Sequence, residues 1–176
     1  KGYFKDSNLT AKTIKNGFLY TGDIGEIDNE GFLKITDRKK QLFKTSGGKY
    51  IAPQVIENKM KRSPFIEQVM VIGEGEKMPS ALIQPDFQYV KNWLLNNKFP
   101  FSDDLKKICL NNELLKKINI EINKINEEFG DWERIKKFEL TPEIWSIENG
   151  LLTPTMKLKR KSILEKFIQL KEKIYK

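Results

Sequence analysis

The chain contains no histidine and a single cysteine, Cys109. Ser-His-Asp and Cys-His nucleophile schemes therefore lack their base within this chain, and a closed Cys/His zinc site lacks its ligands. Chemistry here falls to Lys, Arg, Asp, Glu, Tyr and the backbone. Five short stretches arrange such groups or suggest a ligand loop. Thr21-Gly22-Asp23 sets a carboxylate beside a glycine, an arrangement able to accept the two vicinal hydroxyls of a ribose or simply to make a turn. Asp37-Arg38-Lys39-Lys40 offers the rigid donor fork of an arginine to an anion or sugar, and equally suits a solvated linker. Thr45-Ser46-Gly47-Gly48-Lys49 allows close backbone approach to a ligand. It is no phosphate-binding loop of the Gly-Lys-Ser/Thr type, because Tyr50 follows the lysine and the first glycine is missing. Gly73-Glu74-Gly75 lacks the third glycine and the helix of a dinucleotide fingerprint.

The fifth stretch is the most basic. Pro154 stiffens a loop ahead of a helix, and Lys157, Lys159, Arg160 and Lys161 gather near that helix's start. Cations at a helix N-terminus oppose its dipole at a cost of ~0.3–1 kcal/mol each. A nearby anion would relieve that cost; a solvated basic run is the plainer reading.

These groups must be held by a domain of 176 residues, 39% hydrophobic and 32% charged, with a net charge of +8. That length suggests one domain, or one domain and a fragment. No apolar run approaches the about 20 residues of a membrane span, and the opening Lys1-Gly2-Tyr3-Phe4-Lys5-Asp6 lacks a signal peptide's apolar core. Absence of an initiator methionine leads us to expect a piece of a longer protein. The basic balance fits nucleic acid, an anionic membrane, a phosphate-bearing ligand or a merely lysine-rich surface. Cys109, flanked by apolar and lysine residues, reads as a buried helix position.

Residues 17–36 read as a β-hairpin turning at Asp28-Asn29-Glu30-Gly31. A charged break at 37–40 follows, then a flexible loop at 45–48. Pro53 opens a helix running to about Arg62, ended by Ser63-Pro64. Strands are expected at 66–73 and 80–84, and a helix at 87–97. A second helix capped by Ser102 carries Leu114, Ile118, Ile122, Ile125 and Phe129 at helical spacing and stops at Gly130. A strand at 133–141 and a last helix from about Lys161, with Ile163, Leu164, Phe167, Ile168 and Ile174 inward, complete the chain. The result is an α+β domain behind a hairpin with no partner in the remainder, as if the hairpin were the tail of a neighbouring domain.

Three segments together resemble the C-terminal part of the AMP-forming acyl-CoA synthetases, within the adenylate-forming superfamily. They are 17–26 (Gly17 to Glu26), 35–53 (Ile35 to Pro53) and 150–160 (Gly150 to Arg160). Their order and separations fit, and the resemblance spans nearly the whole chain. The wording is most similar to the long-chain fatty acid–CoA ligase subgroup. Many relatives carry Ser-Gly-Lys at the last motif, where Thr155-Met156 stands ahead of Lys157 here.

The resemblance implies a small C-terminal lid domain with a short, mostly antiparallel sheet flanked by helices, covering 38–176. Residues 1–37 would be the last hairpin of the large N-terminal adenylation domain. Asp23 and Arg38 would hold the ribose of ATP or of the acyl-adenylate, and Lys40 would be the hinge. Gly47 or Gly48 would line the approach of the CoA thiol. Lys157 would be catalytic, bridging the fatty carboxylate and the α-phosphate. Glu57 matches a helix carboxylate with a structural role. The implied substrates are fatty acid, ATP and CoA. Mg²⁺ would belong to the N-terminal domain, and no metal site or nucleic-acid partner is expected in this chain. The expected setting is cytoplasmic, with room for peripheral membrane contact. Two other readings stand beside this one: the lid of a carrier-protein or amino-acid adenylating enzyme, and a basic nucleic-acid-binding module, whose aromatic residues would stack bases.

Overall fold

The computed structural model describes residues 2–39 and 41–176, and of 36–38 the backbone alone. Lys40, the expected hinge, lies outside the described residues. The chain forms two compact units, Lys1–Leu42 and Phe43–Lys176.

In the first unit Asp6 caps α1 (Ser7–Thr13) by accepting the Leu9 amide at 2.8 Å. β1 (Ile14–Lys15) and β2 (Phe18–Leu19) then pair around Asn16-Gly17. Both turn residues have positive φ, 52° and 81°, as a tight Asn-Gly hairpin requires. β3 (Asp23–Ile27) and β4 (Leu33–Arg38) form the second hairpin. Its turn is fixed by Asp28 Oδ1, which accepts from the amides of Glu30 (3.0 Å) and Phe32 (2.9 Å), with Gly31 at φ 87°. The single hairpin expected over 17–36 is thus two, and Phe18 and Tyr20 do not belong to the longer one. Asp37 and Arg38 continue β4 instead of forming a break, because the ladder carries on: Arg38 faces Asp23, and the Lys39 amide donates to Gly22 O at 2.8 Å. No described residue of this unit is buried, and Phe18, Ile27, Phe32 and Leu33 are exposed.

The second unit begins with a hairpin of β5 (Phe43–Lys44) and β6 (Tyr50–Ile51). Pro53 starts α2 (Pro53–Met60), which buries Ile56 and Met60. β7 (Ile66–Ile72) and β8 (Ser80–Pro85) are antiparallel, and β9 (Lys137–Leu140) joins β8 in parallel, giving the order β7-β8-β9. The crossover between β8 and β9 is helical: α3 (Phe87–Asn96), α4 (Leu105–Cys109) and α5 (Asn112–Asn126). α6 (Arg160–Lys166) and α7 (Ile168–Tyr175) end the chain.

Alternation along the strands explains the packing. Val69, Val71, Ala81 and Ile83 enter one core with α2, α3 and α5. Met70, Ile72 and Leu82 enter a second core with Trp145, Leu151, Leu152, Ile163, Phe167 and Ile174. A sheet covered on both faces needs apolar residues at every position, which is why 69–72 and 81–83 read as continuous apolar runs.

The expected long helix from Ser102 is divided. Asp104 caps α4, and Asn111 caps α5 by accepting from the amides of Glu113 (2.9 Å) and Leu114 (3.2 Å). Asn favours such caps over helix interiors. α5 also stops before Gly130, because the Asn126 side chain pairs with both backbone groups of Ile135 at 2.9 Å. The strand expected at 133–141 is only 137–140. The last helix breaks at Phe167, whose ring stacks on Trp145 at 6.2 Å, and Ile168 is exposed, not inward. The 45–48 stretch is a hydrogen-bonded turn, described below. Among the described residues no helix is long and apolar enough to cross a membrane.

Cys109 is buried in α4, as its neighbours suggested, and burial pushes its thiol from 9.0 up to about 12. We expect it to resist thiol reagents at pH 8 while the chain is folded and to react on unfolding; labelling at the free-thiol rate in the native state would contradict this packing. Burial likewise pushes the Tyr175 phenol from 10.0 up to about 12. In both cases the folded state keeps a proton that the unfolded chain releases at lower pH. Stability is therefore fully present below about pH 9 and is lost as pH rises toward 12, a fall measurable as a dropping urea midpoint.

Candidate active-site loops

Lys157 sits on a short loop with a firm base. Leu152 and Leu158 make an isolated antiparallel bridge. Within it the Thr153 amide donates to Lys157 O (2.8 Å) and the Met156 amide to Thr153 O (2.8 Å). The Lys157 amide donates to Thr153 Oγ1 at 3.1 Å. Leu151 and Leu152 are buried at the loop's root. Lys157 itself is exposed, and its ammonium makes no ion pair with the described residues. Met156 has φ 59°, a left-handed conformation that glycine adopts without strain.

The other cations of the run are used differently. Arg160 reaches back to Glu57 on α2, with Nη2 at 2.8 and 2.6 Å from the two carboxylate oxygens. The Glu57 side chain is 8% exposed and that of Arg160 is 26% exposed. Glu57 also accepts the Val71 amide at 2.7 Å, while Arg160 Nη1 approaches Val71 O at 3.4 Å. β7 is an edge strand, so this pair covers free backbone groups of the edge as well as pairing charges. The anion that the basic run called for lies, for Arg160, inside the domain. Lys161 pairs loosely with Glu165 at 3.9 Å. Lys157 and Lys159 are exposed and make no ion pair with the described residues.

Gly47 and Gly48 occupy the turn between β5 and β6. Thr45 closes it, its amide donating to Lys49 O (3.0 Å) and its carbonyl accepting from Gly48 N (2.9 Å). The turn is fastened to the β7–β8 connection: Ser46 N donates to Glu76 O and Gly75 N to Lys44 O, both at 2.9 Å. That connection is held in turn by α7, through Tyr175 Oη to Met78 O (3.1 Å) and Lys171 to Glu76 (3.4 Å).

The two glycines differ. Gly48 has φ 80°, whereas Gly47 has an ordinary φ and open space where a side chain would begin. A left-handed residue other than glycine costs ~1–2 kcal/mol, partly offset by the ~0.5–1 kcal/mol of chain entropy that alanine saves. We expect Gly48→Ala to destabilise the domain by about 1 kcal/mol and Gly47→Ala to leave its melting temperature unchanged. Equal shifts in a thermal melt would refute this assignment.

One group beside this turn was not foreseen. Trp132 is 51% exposed, and the Lys49 ammonium lies 5.4 Å above its ring. The Lys44 ammonium lies 5.4 Å above the exposed Tyr50 ring. Aromatic faces and lysines thus flank the glycine turn, a suitable surface for a planar base and its phosphates. The sequence places Trp132 far from residue 49, and only the fold joins them.

In the first unit Asp23 and Arg38 stand opposite each other across the β3–β4 ladder. Asp23 is half-buried, follows Gly22 at φ 77°, and its amide donates to Thr21 Oγ1 at 3.1 Å. Lys157 and the glycine pair lie on separate loops of the second unit.

A profile of the AMP-binding enzyme C-terminal domain matches residues 40–176, and the chain belongs to that family. A long-chain-fatty-acid–CoA ligase of Mycobacterium tuberculosis is 34% identical over 174 residues, covering 99% of this chain and 29% of that protein. Human long-chain-fatty-acid–CoA ligase 1 is 40% identical over 171 residues, covering 95% of this chain and 24% of its own length. The chain therefore spans less than a third of these curated relatives. In fold it is similar to the adenylation domain of a carboxylate reductase from Mycobacterium chelonae, with a TM-score of 0.78 at 23% identity, covering 99% of this chain and 26% of that one.

Proposed function

We propose that this chain is the C-terminal portion of a long-chain fatty acid–CoA ligase. In that reading 38–176 form its mobile lid and 1–37 end its N-terminal domain. The carrying observation is the Lys157 loop: a hydrogen-bonded hairpin that presents the Lys157 ammonium outward, with Lys159 exposed beside it, while the neighbouring Arg160 is neutralised by Glu57. Relatives at 34–41% identity are named as CoA ligases, while the carboxylate reductase shares only the fold, which favours CoA over a carrier protein as acceptor.

In the first half-reaction a fatty carboxylate oxygen attacks the α-phosphorus of ATP, and pyrophosphate leaves. Negative charge grows around the α-phosphate, and Lys157 stabilises it. Asp23 accepts hydrogen bonds from the ribose hydroxyls, and Arg38 adds a second contact to the same sugar. In the second half-reaction the CoA thiol attacks the acyl carbon and AMP leaves. Gly47 and Gly48 give the thiol a close approach along the backbone, while Trp132 and Lys49 receive the nucleotide end of CoA. A turn about Lys40 exchanges the two loops at one active centre, on the μs–ms scale of domain motions. Magnesium is assigned to the preceding domain. We place the enzyme in the cytoplasm, with room for peripheral membrane contact.

The test is pyrophosphate release by the full enzyme over a panel of fatty acids. Release should depend on a long-chain acid, and the 176-residue chain alone should show none. Turnover by this chain alone would refute the lid reading.

A further inference from the structure

The glycine turn has little structure of its own to rest on. β5 and β6 are two residues each, and a two-stranded ribbon is marginally stable by itself. Two backbone bonds join the turn to the β7–β8 connection, Ser46 N to Glu76 O and Gly75 N to Lys44 O. That connection is a turn as well, with Gly73 at φ 138° and Gly75 at φ 71°. Glu74, Gly75 and Lys77 are exposed, so the connection also needs a backing.

α7 provides it. Ile174 is 2% exposed in the second core, with Leu170 and Tyr175 packed against the same cluster. Lys137 on β9 donates to Ile174 O at 2.8 Å, and Lys173 to Glu139 at 2.9 Å. From this fixed helix two side chains reach the connection. Tyr175 Oη donates to Met78 O at 3.1 Å, and the Lys171 ammonium lies 3.4 Å from a Glu76 carboxylate oxygen. Gly73 shows how close the fit is: a Cβ there would lie 2.8 Å from Met78 O and 3.2 Å from Tyr175 Oη. A path of single bonds thus runs from the core through α7 to Met78 and Glu76, and on to Lys44, Ser46 and the glycines.

We propose that Tyr175, with Lys171 beside it, is a positioning residue for thioester formation. Both act through the backbone of the connection, setting where Gly47 and Gly48 stand as the CoA thiol passes along them. The proposal rests on the ligase reading and on the part the glycine turn plays in it. The Lys157 loop is held instead through Thr153, Leu152 and Leu158, so adenylation does not draw on this path.

The test measures both half-reactions of the full enzyme in single turnover: pyrophosphate release from ATP and palmitate, and palmitoyl-CoA formation from supplied palmitoyl-adenylate at saturating CoA. Tyr175→Phe keeps the ring and removes only the hydroxyl. It should slow thioester formation about tenfold, the order expected when a reacting path is displaced by a fraction of an ångström, and leave pyrophosphate release at the wild-type rate. Adding Lys171→Met should slow thioester formation further, whereas Lys171→Arg alone, which keeps the cation, should not slow it. Amide hydrogen exchange should quicken at 44–48 in Tyr175→Phe and stay unchanged at 151–160. Equal slowing of both half-reactions would overturn the proposal, because a merely structural tyrosine acts on both through stability. So would wild-type thioester formation by the Tyr175→Phe, Lys171→Met double variant. A wild-type enzyme that makes no palmitoyl-CoA would instead remove the ligase reading, and the proposal with it.

Discussion

Lys157→Ala in the full enzyme should lower acyl-adenylate formation at least about a hundredfold, the range seen when one donor aimed at developing charge is removed. The loop explains why the loss should be confined to chemistry. The backbone bonds from Thr153 to Met156 and Lys157, and the bridge of Leu152 to Leu158, do not involve the Lys157 side chain. That side chain is exposed, so truncation opens no cavity and leaves no buried group unpaired. The variant should melt with the wild type while pyrophosphate release collapses. A large loss of melting temperature would mean that Lys157 is structural and would remove the reading of its role.

Arg160→Met should do the reverse, with its first effect on stability. Losing the guanidinium takes from the buried Glu57 carboxylate the two contacts at 2.8 and 2.6 Å. Removing one member of a buried pair costs ~3–5 kcal/mol, and the partial exposure of Arg160 sets the expectation at about 3 kcal/mol. For a unit of this size that is a fall of roughly 10 °C in melting temperature. The double variant with Glu57→Gln should be less destabilised than the sum of the singles, since the two side chains hydrogen-bond each other and their effects couple. Strict additivity would show that the two side chains do not act as a pair. Because Arg160 starts α6 three residues after Lys157, its loss should also loosen the Lys157 loop and slow adenylation in the fraction that remains folded.

Periodicity carried much of this architecture. The apolar runs at 66–72 and 80–84, the helix beginning at Pro53 and the stripe from Leu114 to Ile122 all lie where burial puts them. Local capping chemistry was harder to weigh. Asn111 and Asn126 each end or begin a helix through side-chain bonds, and an asparagine in a helical stripe gives no sign of which it will do. Asn16-Gly17 was a turn signal within a stretch whose apolar residues suggested one longer hairpin.

Among the candidate site residues, short-range facts were readable: a glycine pair, a carboxylate beside a glycine, a cluster of cations. Which cation is taken up inside the domain was not, because Arg160 finds Glu57 across 103 positions of sequence. Trp132 was hidden for the same reason, being joined to Lys49 only by the fold.

The central claim is that Lys157 serves one half-reaction and must leave for the other. Its most direct test supplies the full Lys157→Ala enzyme with acyl-adenylate and CoA and measures thioester formation in single turnover. We expect a rate close to the wild type's beside the lost adenylation. Equal loss of both half-reactions would contradict the lid account.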